Sequence, residues 1–202
     1  ILHASGHIMN VNTKALELAG MLKPGLNHPG IPLGADGFPT GELKGPEVMT
    51  PVGPFVGYER NMLDADETGL RNFAKLCVRT GTTTITDLAS RMDDDTINMM
   101  LRVTSETSFP VRLMPFRFFL GLSSKELVKT VLALKERATD QLRMGQIKII
   151  VDGSIQGFSA RLRWPGYHNG APNGLWYIAP EQLSDILHLA LDAGILVHTH
   201  TN

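Results

Sequence analysis

Cysteine is nearly missing from this chain. Cys77 is the only one among 202 residues, which rules out an internal disulfide, and no CxxC pair exists. Cys77 falls on the apolar side of a predicted helix and reads as core rather than as a nucleophile. Charge of one sign is missing as well: 19 Lys and Arg stand against 20 Asp and Glu, for a net charge of −1. Neither a nucleic-acid footprint nor a polybasic membrane patch is therefore indicated. No apolar run is long enough to span a bilayer and no signal peptide is visible, so the expected setting is cytoplasmic. A Gly-rich phosphate loop and a serine elbow of the G-x-S-x-G type are also absent. What is present is an ordinary globular mixture, 43% hydrophobic and 19% charged, long enough to bury the core of one domain or one and a half.

Two textures divide the chain. Residues 1–62 are rich in glycine, proline and turn signals. Asn12 is placed to cap a short helix from Thr13 to Ala19, closed by Gly20, and 34–41 reads as a turn between short strands. This part is expected to be a loop-rich insertion with little core of its own. From residue 63 the pattern becomes regular. Leu70, Phe73, Ala74 and Cys77 follow the i, i+3, i+4, i+7 spacing of a helix with one buried stripe, with Asp64 or Asp66 as its cap. The β-branched run 82–88 reads as a strand. Ile97, Met100, Leu101 and Thr104 mark a helix opened by Asp93 to Asp95. The segment 111–119 reads as a strand with Pro115 at an awkward central place. Ser123 and Glu126 form a capping box ahead of Leu127, Val131, Leu134 and Ala138. Residues 146–152 are a near-continuous apolar strand interrupted by Lys148. Pro180 starts a helix whose stripe is Leu183, Ile186, Leu187, Ala190 and Leu191, and Gly194 precedes the final strand. Helix and strand alternate throughout, which implies right-handed βαβ units and a parallel sheet. The fold class is thus α/β: roughly four parallel strands with their helices over 63–202, as half of a TIM-type (β/α) barrel or a small open sheet, plus the insertion over 1–62.

The chemistry-bearing residues gather at predicted strand ends, where parallel α/β folds bind ligands. The last strand ends in His198 and His200, whose alternation points both to one side, toward one metal or one substrate. His200 is the stronger candidate because it lies nearer the tip. Lys148 is costly to bury among Ile147, Ile149, Ile150 and Val151 unless its charge is paired or removed. It is either paired with a carboxylate such as Asp87 or Asp152, or a base of lowered pKa, or carbamylated into a metal-bridging carboxylate. Asp152-Gly-Ser154 closes the same strand and then enters the long loop 153–179. A loop of that length is usually functional when ordered. Its residues Arg161, Arg163, Trp164, Tyr167 and His168 suit a pocket wall or a surface loop packed on itself. Ser5-Gly6-His7 forms a compact polar cluster.

Several of these pieces occur together, in order: Ser5-Gly6-His7, Val11 to Leu16 with Ala19-Gly20, Asp36 to Gly41, Gly81 to Thr84, Ile147 to Ser154 and Val197 to His200. The ordered set resembles the metal-dependent amidohydrolase superfamily, in the branch containing N-substituted formamide deformylase, over nearly the whole chain. The resemblance implies a (β/α)₈ barrel with a metal at its C-terminal mouth and a small β-sandwich built from both termini. It implies that Lys148 is the fourth-strand lysine, often carboxylated, and that His200 is the fifth-strand histidine. His198 lies two residues earlier, where the family does not require histidine. The first-strand His-x-His pair would precede Ile1, and the sixth-strand histidine and eighth-strand aspartate would follow Asn202. The reading is therefore a segment of a metal-dependent hydrolase of non-peptide C–N bonds that uses one or two divalent ions, Zn²⁺ expected, with the segment itself inactive and holding no ion of its own. Lys148 and His200 are its candidate catalytic residues, and Lys148, His200 and His198 its candidate metal ligands. His7, Asp152, Arg161, Trp164 and Tyr167 are its candidate contacts to a small-molecule substrate. Two alternatives stay open: a non-catalytic half-barrel that self-associates as a homo-oligomer, and a Schiff-base lyase built on Lys148.

Overall fold

The structure, a computed structural model, describes residues 1–57, 66–90 and 92–202. It divides into two compact units. One comprises Ile1–Leu63, Ile150–Ala179 and His200–Asn202; the other comprises Asp64–Ile149 and Pro180–Thr199. The grouping differs from a simple cut near residue 62, because the long loop and the chain tip join the N-terminal segment. The cut itself, and Asp64 as a helix cap, lie outside the described residues.

The first unit is built from short elements. Strand β1 (Ile8–Asn10) and strand β2 (Glu42–Lys44) pair antiparallel, with Ile8 opposite Lys44, Met9 opposite Leu43 and Asn10 opposite Glu42. Between them lies helix α1 (Thr13–Leu18), capped as expected: the Asn12 side chain accepts the Ala15 N–H. The 34–41 segment closes on itself through Gly34 N–H to Phe38 O and Thr40 N–H to Pro32 O. Helix α2 (Pro46–Met49) and a 3₁₀ turn (Gly53–Phe55) follow. The expectation of little core here is corrected. Met9, Ala15, Leu16, Ile31, Leu43, Val48, Met49 and Val52 form one buried cluster. These residues recur with no fixed period, so a pattern search passes over them, yet all are buried from short elements and the turns between them.

The loop of this unit is held by its own backbone. Gly153 N–H donates to Ser159 O, Gly174 N–H to Ala160 O, Leu175 N–H to Ser159 O and Tyr177 N–H to Val151 O. Asp152 and Trp176 form an antiparallel bridge. A Cβ on Gly174 would overlap the carbonyl oxygens of Ala160 and Ser159, so only glycine lets these strands of the loop approach.

The second unit follows the expected alternation: α3 (Glu67–Arg79), β3 (Thr84–Ser90), α4 (Asp94–Thr104), β4 (Arg112–Phe118), α5 (Ser124–Glu136), β5 (Gln146–Ile150), α6 (Pro180–Asp192) and β6 (Val197–His200). Asp66, Asp93 and Ser123 cap the helices that the sequence assigns to them, and Ser123 and Glu126 form the full capping box. The four strands lie in the order β3-β4-β5-β6, with parallel pairing of β3 to β4 and of β4 to β5. Pro115 does not break β4. It sits opposite Asp87, next to a register shift between Asp87 and Ser90, where a missing N–H is tolerated. The core combines Leu70, Ala74 and Cys77 of α3 with Ile97, Met100 and Val103 of α4, and with Leu113, Leu134, Leu142 and Met144. Two predicted stripes are only half used. Phe73 stays 50% exposed and Leu191 77%. Both belong to helices that lead into the outermost strands of the sheet, so part of each stripe meets nothing in its own unit.

Candidate functional site

Asp152 follows β5 and is buried. Its Oδ2 accepts the Arg161 N–H at 2.8 Å and its Oδ1 accepts the Asn202 N–H at 3.1 Å. The His200 Nε2 lies 3.0 Å from Gly153 O. A carbonyl only accepts, so Nε2 carries the hydrogen in this contact. Asn202 also donates from Nδ2 to Gly153 O, at 2.6 Å.

His7 lies between two rings. It stacks on His200 with centroids 5.3 Å apart and tilts against Tyr177 at 5.6 Å. Burial lowers its pKa, the neighbouring His200 lowers it further, and Asp152 partly offsets both. A neutral His7 is the consequence. Tyr177 enters this group from the far end of the long loop. Gly45, at φ +93°, makes room for it: a Cβ there would sit 2.9 Å from Tyr177 Cε1. The Tyr177 hydroxyl is buried and completes no hydrogen bond among the described residues. Such an orphan costs about 1–3 kcal/mol. Burial pushes its pKa up; Ser159 is near enough to draw it back somewhat, and Asp152 and Tyr167 add to the rise. The phenol therefore stays protonated at neutral pH and is available as a donor.

The loop residues proposed from sequence are mostly engaged with their own loop. Tyr167 donates its hydroxyl to Ala160 O at 2.9 Å and meets Phe158 edge-to-face at 5.3 Å. Arg161 donates from Nη1 to Gly174 O at 3.2 Å, and its guanidinium lies 5.3 Å from the Trp176 ring centre. Trp164 is 94% exposed.

Lys148 belongs to the barrel unit. It is 6% exposed, and its Nζ lies 3.0 Å from His198 Nδ1. Neither Asp87 nor any other described carboxylate of that unit pairs with it. Burial lowers its pKa. His198 in turn meets the buried Phe116 edge-to-face at 6.1 Å. The two histidines of β6 thus have different neighbours: His198 meets a lysine, His200 a backbone carbonyl. Among the described residues no group of three or more His, Cys, Asp and Glu is placed to hold a metal ion. A metal site generally needs about three protein ligands, so these residues alone do not fit one.

Sequence reasoning missed Tyr177, Ser159 and Asn202. Tyr177 stands in the run Leu175-Trp-Tyr-Ile178 and reads as buried filler. Its one visible signal was its place at the end of an unusually long loop.

Among the described residues, no helix is long and apolar enough to cross a membrane. No curated protein matches the chain. Among solved structures, it is similar to an uncharacterized metal-dependent hydrolase from Pyrococcus horikoshii OT3, with a TM-score of 0.54 and 15% identity. That similarity covers 96% of this chain and 37% of the other, so the chain spans little more than a third of that protein. At this identity the likeness concerns the fold, and it agrees with the α/β architecture of a partial TIM-type barrel. The amidohydrolase family matches residues 1–202. With every residue from Ile1 to Asn202 inside that match, the chain belongs to the amidohydrolase family.

Proposed function

We propose that this chain is a segment of a metal-dependent hydrolase that cleaves a non-peptide C–N bond of the amide type, in the branch of N-substituted formamide deformylase. Family membership supports the hydrolase class, and the similar fold is that of a protein described as a metal-dependent hydrolase. The observation that carries the reading is Lys148: a buried strand lysine held by an imidazole instead of being neutralised by a carboxylate. Burying an ammonium without an acid partner is expensive, and a position that tolerates the cost is one where the amine has chemical work. We propose Lys148 and His200, each taken by itself, as candidate ligands of a divalent ion, Zn²⁺ by preference. His198, the third candidate ligand, and Lys148 are engaged with each other at 3.0 Å. We assign His7, Asp152, Arg161, Trp164 and Tyr167 to the small-molecule substrate.

The test uses the whole protein that carries this segment. It should hydrolyse an N-substituted formamide, and both a chelator and Lys148→Ala should abolish turnover. Full activity in Lys148→Ala would sink the reading. The 202-residue segment, supplied with Zn²⁺, should leave the same substrate intact.

A second reading is favoured by the exposed apolar residues of the barrel unit. Phe73 and Leu76 of α3, Leu191 of α6 and Leu196 beside β6 are each 49–77% exposed. Exposed apolar surface at the sheet edges invites association, and the segment on its own should bury it against a second copy. Sedimentation of a monomer at high concentration would remove this reading.

A further inference from the structure

We infer that His198 is the positioning residue of Lys148: its Nδ1 holds the amine at one point of the sheet, and its ring closes the amine off from solvent. The use made of the amine rests on the hydrolase reading; the contact itself does not. Three observations carry this. The two side chains meet across neighbouring strands, with Nζ 3.0 Å from Nδ1, and the Ile147 N–H donates to Leu196 O at 3.0 Å, which sets β5 and β6 side by side. Lys148 is 6% exposed, whereas His198 is exposed, so the imidazole lies on the solvent side of the pair. On its other flank Lys148 stands in register with Phe118 of β4, whose ring offers no lone pair to a donor.

The His198 ring is itself oriented by the buried Phe116, which it meets edge-to-face. A lysine stem is flexible, so an amine that must stay at one point needs a contact at its end. The imidazole supplies a single acceptor for one N–H of that amine. A carboxylate in its place would favour the ammonium form. An imidazole takes one hydrogen and leaves the nitrogen its remaining valences for a reacting group. The competing account is that His198 merely satisfies a buried lysine. Under that account its loss lowers stability and leaves the kinetics of the site alone. Under the positioning account kcat falls while KM holds.

The experiment uses the whole protein that carries this segment, as wild type, His198→Ala and His198→Asn. Each is acetylated with trace acetic anhydride, and the rate at Lys148 is read by peptide mass spectrometry against the exposed Lys125. Wild-type Lys148 should react more slowly than Lys125. His198→Ala should raise the Lys148 rate about tenfold, and His198→Asn, whose Oδ1 takes the place of Nδ1, should stay near wild type. Alkylation of the buried Cys77, in the same unit, reports whether the fold has loosened. An unchanged Lys148 rate in His198→Ala, an equal rise in His198→Asn, or a rise matched at Cys77 would each overturn the inference. In the second arm, kcat on an N-substituted formamide should fall about tenfold in His198→Ala with KM nearly unchanged, and His198→Asn should restore most of it. A freed amine with unchanged kcat overturns the positioning role. A wild type without turnover counts against the hydrolase reading, and the labelling then decides the inference alone.

Discussion

The two units reach burial by different routes. In the barrel unit, regular periodicity does the work: each helix puts an apolar stripe on a parallel sheet, and α3, α4 and α5 are each started by a side-chain cap. In the other unit no helix or strand among the described residues exceeds six residues. Its core is assembled from scattered residues, and its loop is fastened by backbone bonds that glycines permit. The difference shows in the chemistry. The barrel unit offers one buried amine against one imidazole, whereas the loop unit gathers two imidazoles, a carboxylate and a phenol.

Core truncations should give the largest effects and should test whether the irregular unit is as well packed as the regular one. Leu142 and Leu43 are both fully buried, one in each core. Leu142→Ala and Leu43→Ala should each cost about 2–5 kcal/mol in denaturant unfolding, with hydrogen-exchange protection lost first in the unit that carries the change. If Leu43→Ala costs well under 1 kcal/mol, the loop unit has no core of consequence and the comparison fails.

Caps should matter less, and equally, in both units. Asn12→Ala and Ser123→Ala each remove a side-chain acceptor from a helix start, at a cost of about 1 kcal/mol. A markedly smaller loss for Asn12 would mean that α1 is held by burial of Ala15 and Leu16 alone.

The smallest effects should separate the units by pH. His7 has a lowered pKa in the folded state. Below its ordinary value of 6.5 the unfolded chain therefore binds the proton first, so the stability held above pH 6.5 falls as the pH drops toward the folded value. His7→Phe should flatten that acid decline. Lys148 is lowered from 10.5 in the barrel unit. Its burial cost is present in full below the folded value and is relieved as the pH climbs to 10.5, so stability should rise in that alkaline window. Lys148→Met should remove the rise. Urea midpoints measured across pH in the two variants check both, and an acid decline in His7→Phe as steep as in the wild type would discount the His7 assignment.

Much of the barrel unit was legible beforehand. Asp93, the Ser123–Glu126 box and the β-branched run at 84–86 act locally, through hydrogen bonds and side-chain shape that a short window contains. Lys148 was also visible, because a charge inside an apolar strand is an anomaly wherever it occurs. Its partner was not: a carboxylate was one of three readings, and His198, fifty residues along, was found. The exposure of Phe73 and Leu191 was hidden for a related reason, since a stripe shows which face is apolar and not whether anything covers it.

The sequence by itself determined the order of helices and strands, the parallel sheet that follows from it, and the residue types available for chemistry, because period, caps and composition are properties of neighbours along the chain. Tertiary structure alone decided that residues 150–179 belong with 1–63, and that His7 lies between Tyr177 and His200. Those facts depend on contacts between residues far apart in sequence, and such contacts exist only once the chain has closed its loops and excluded water from between them.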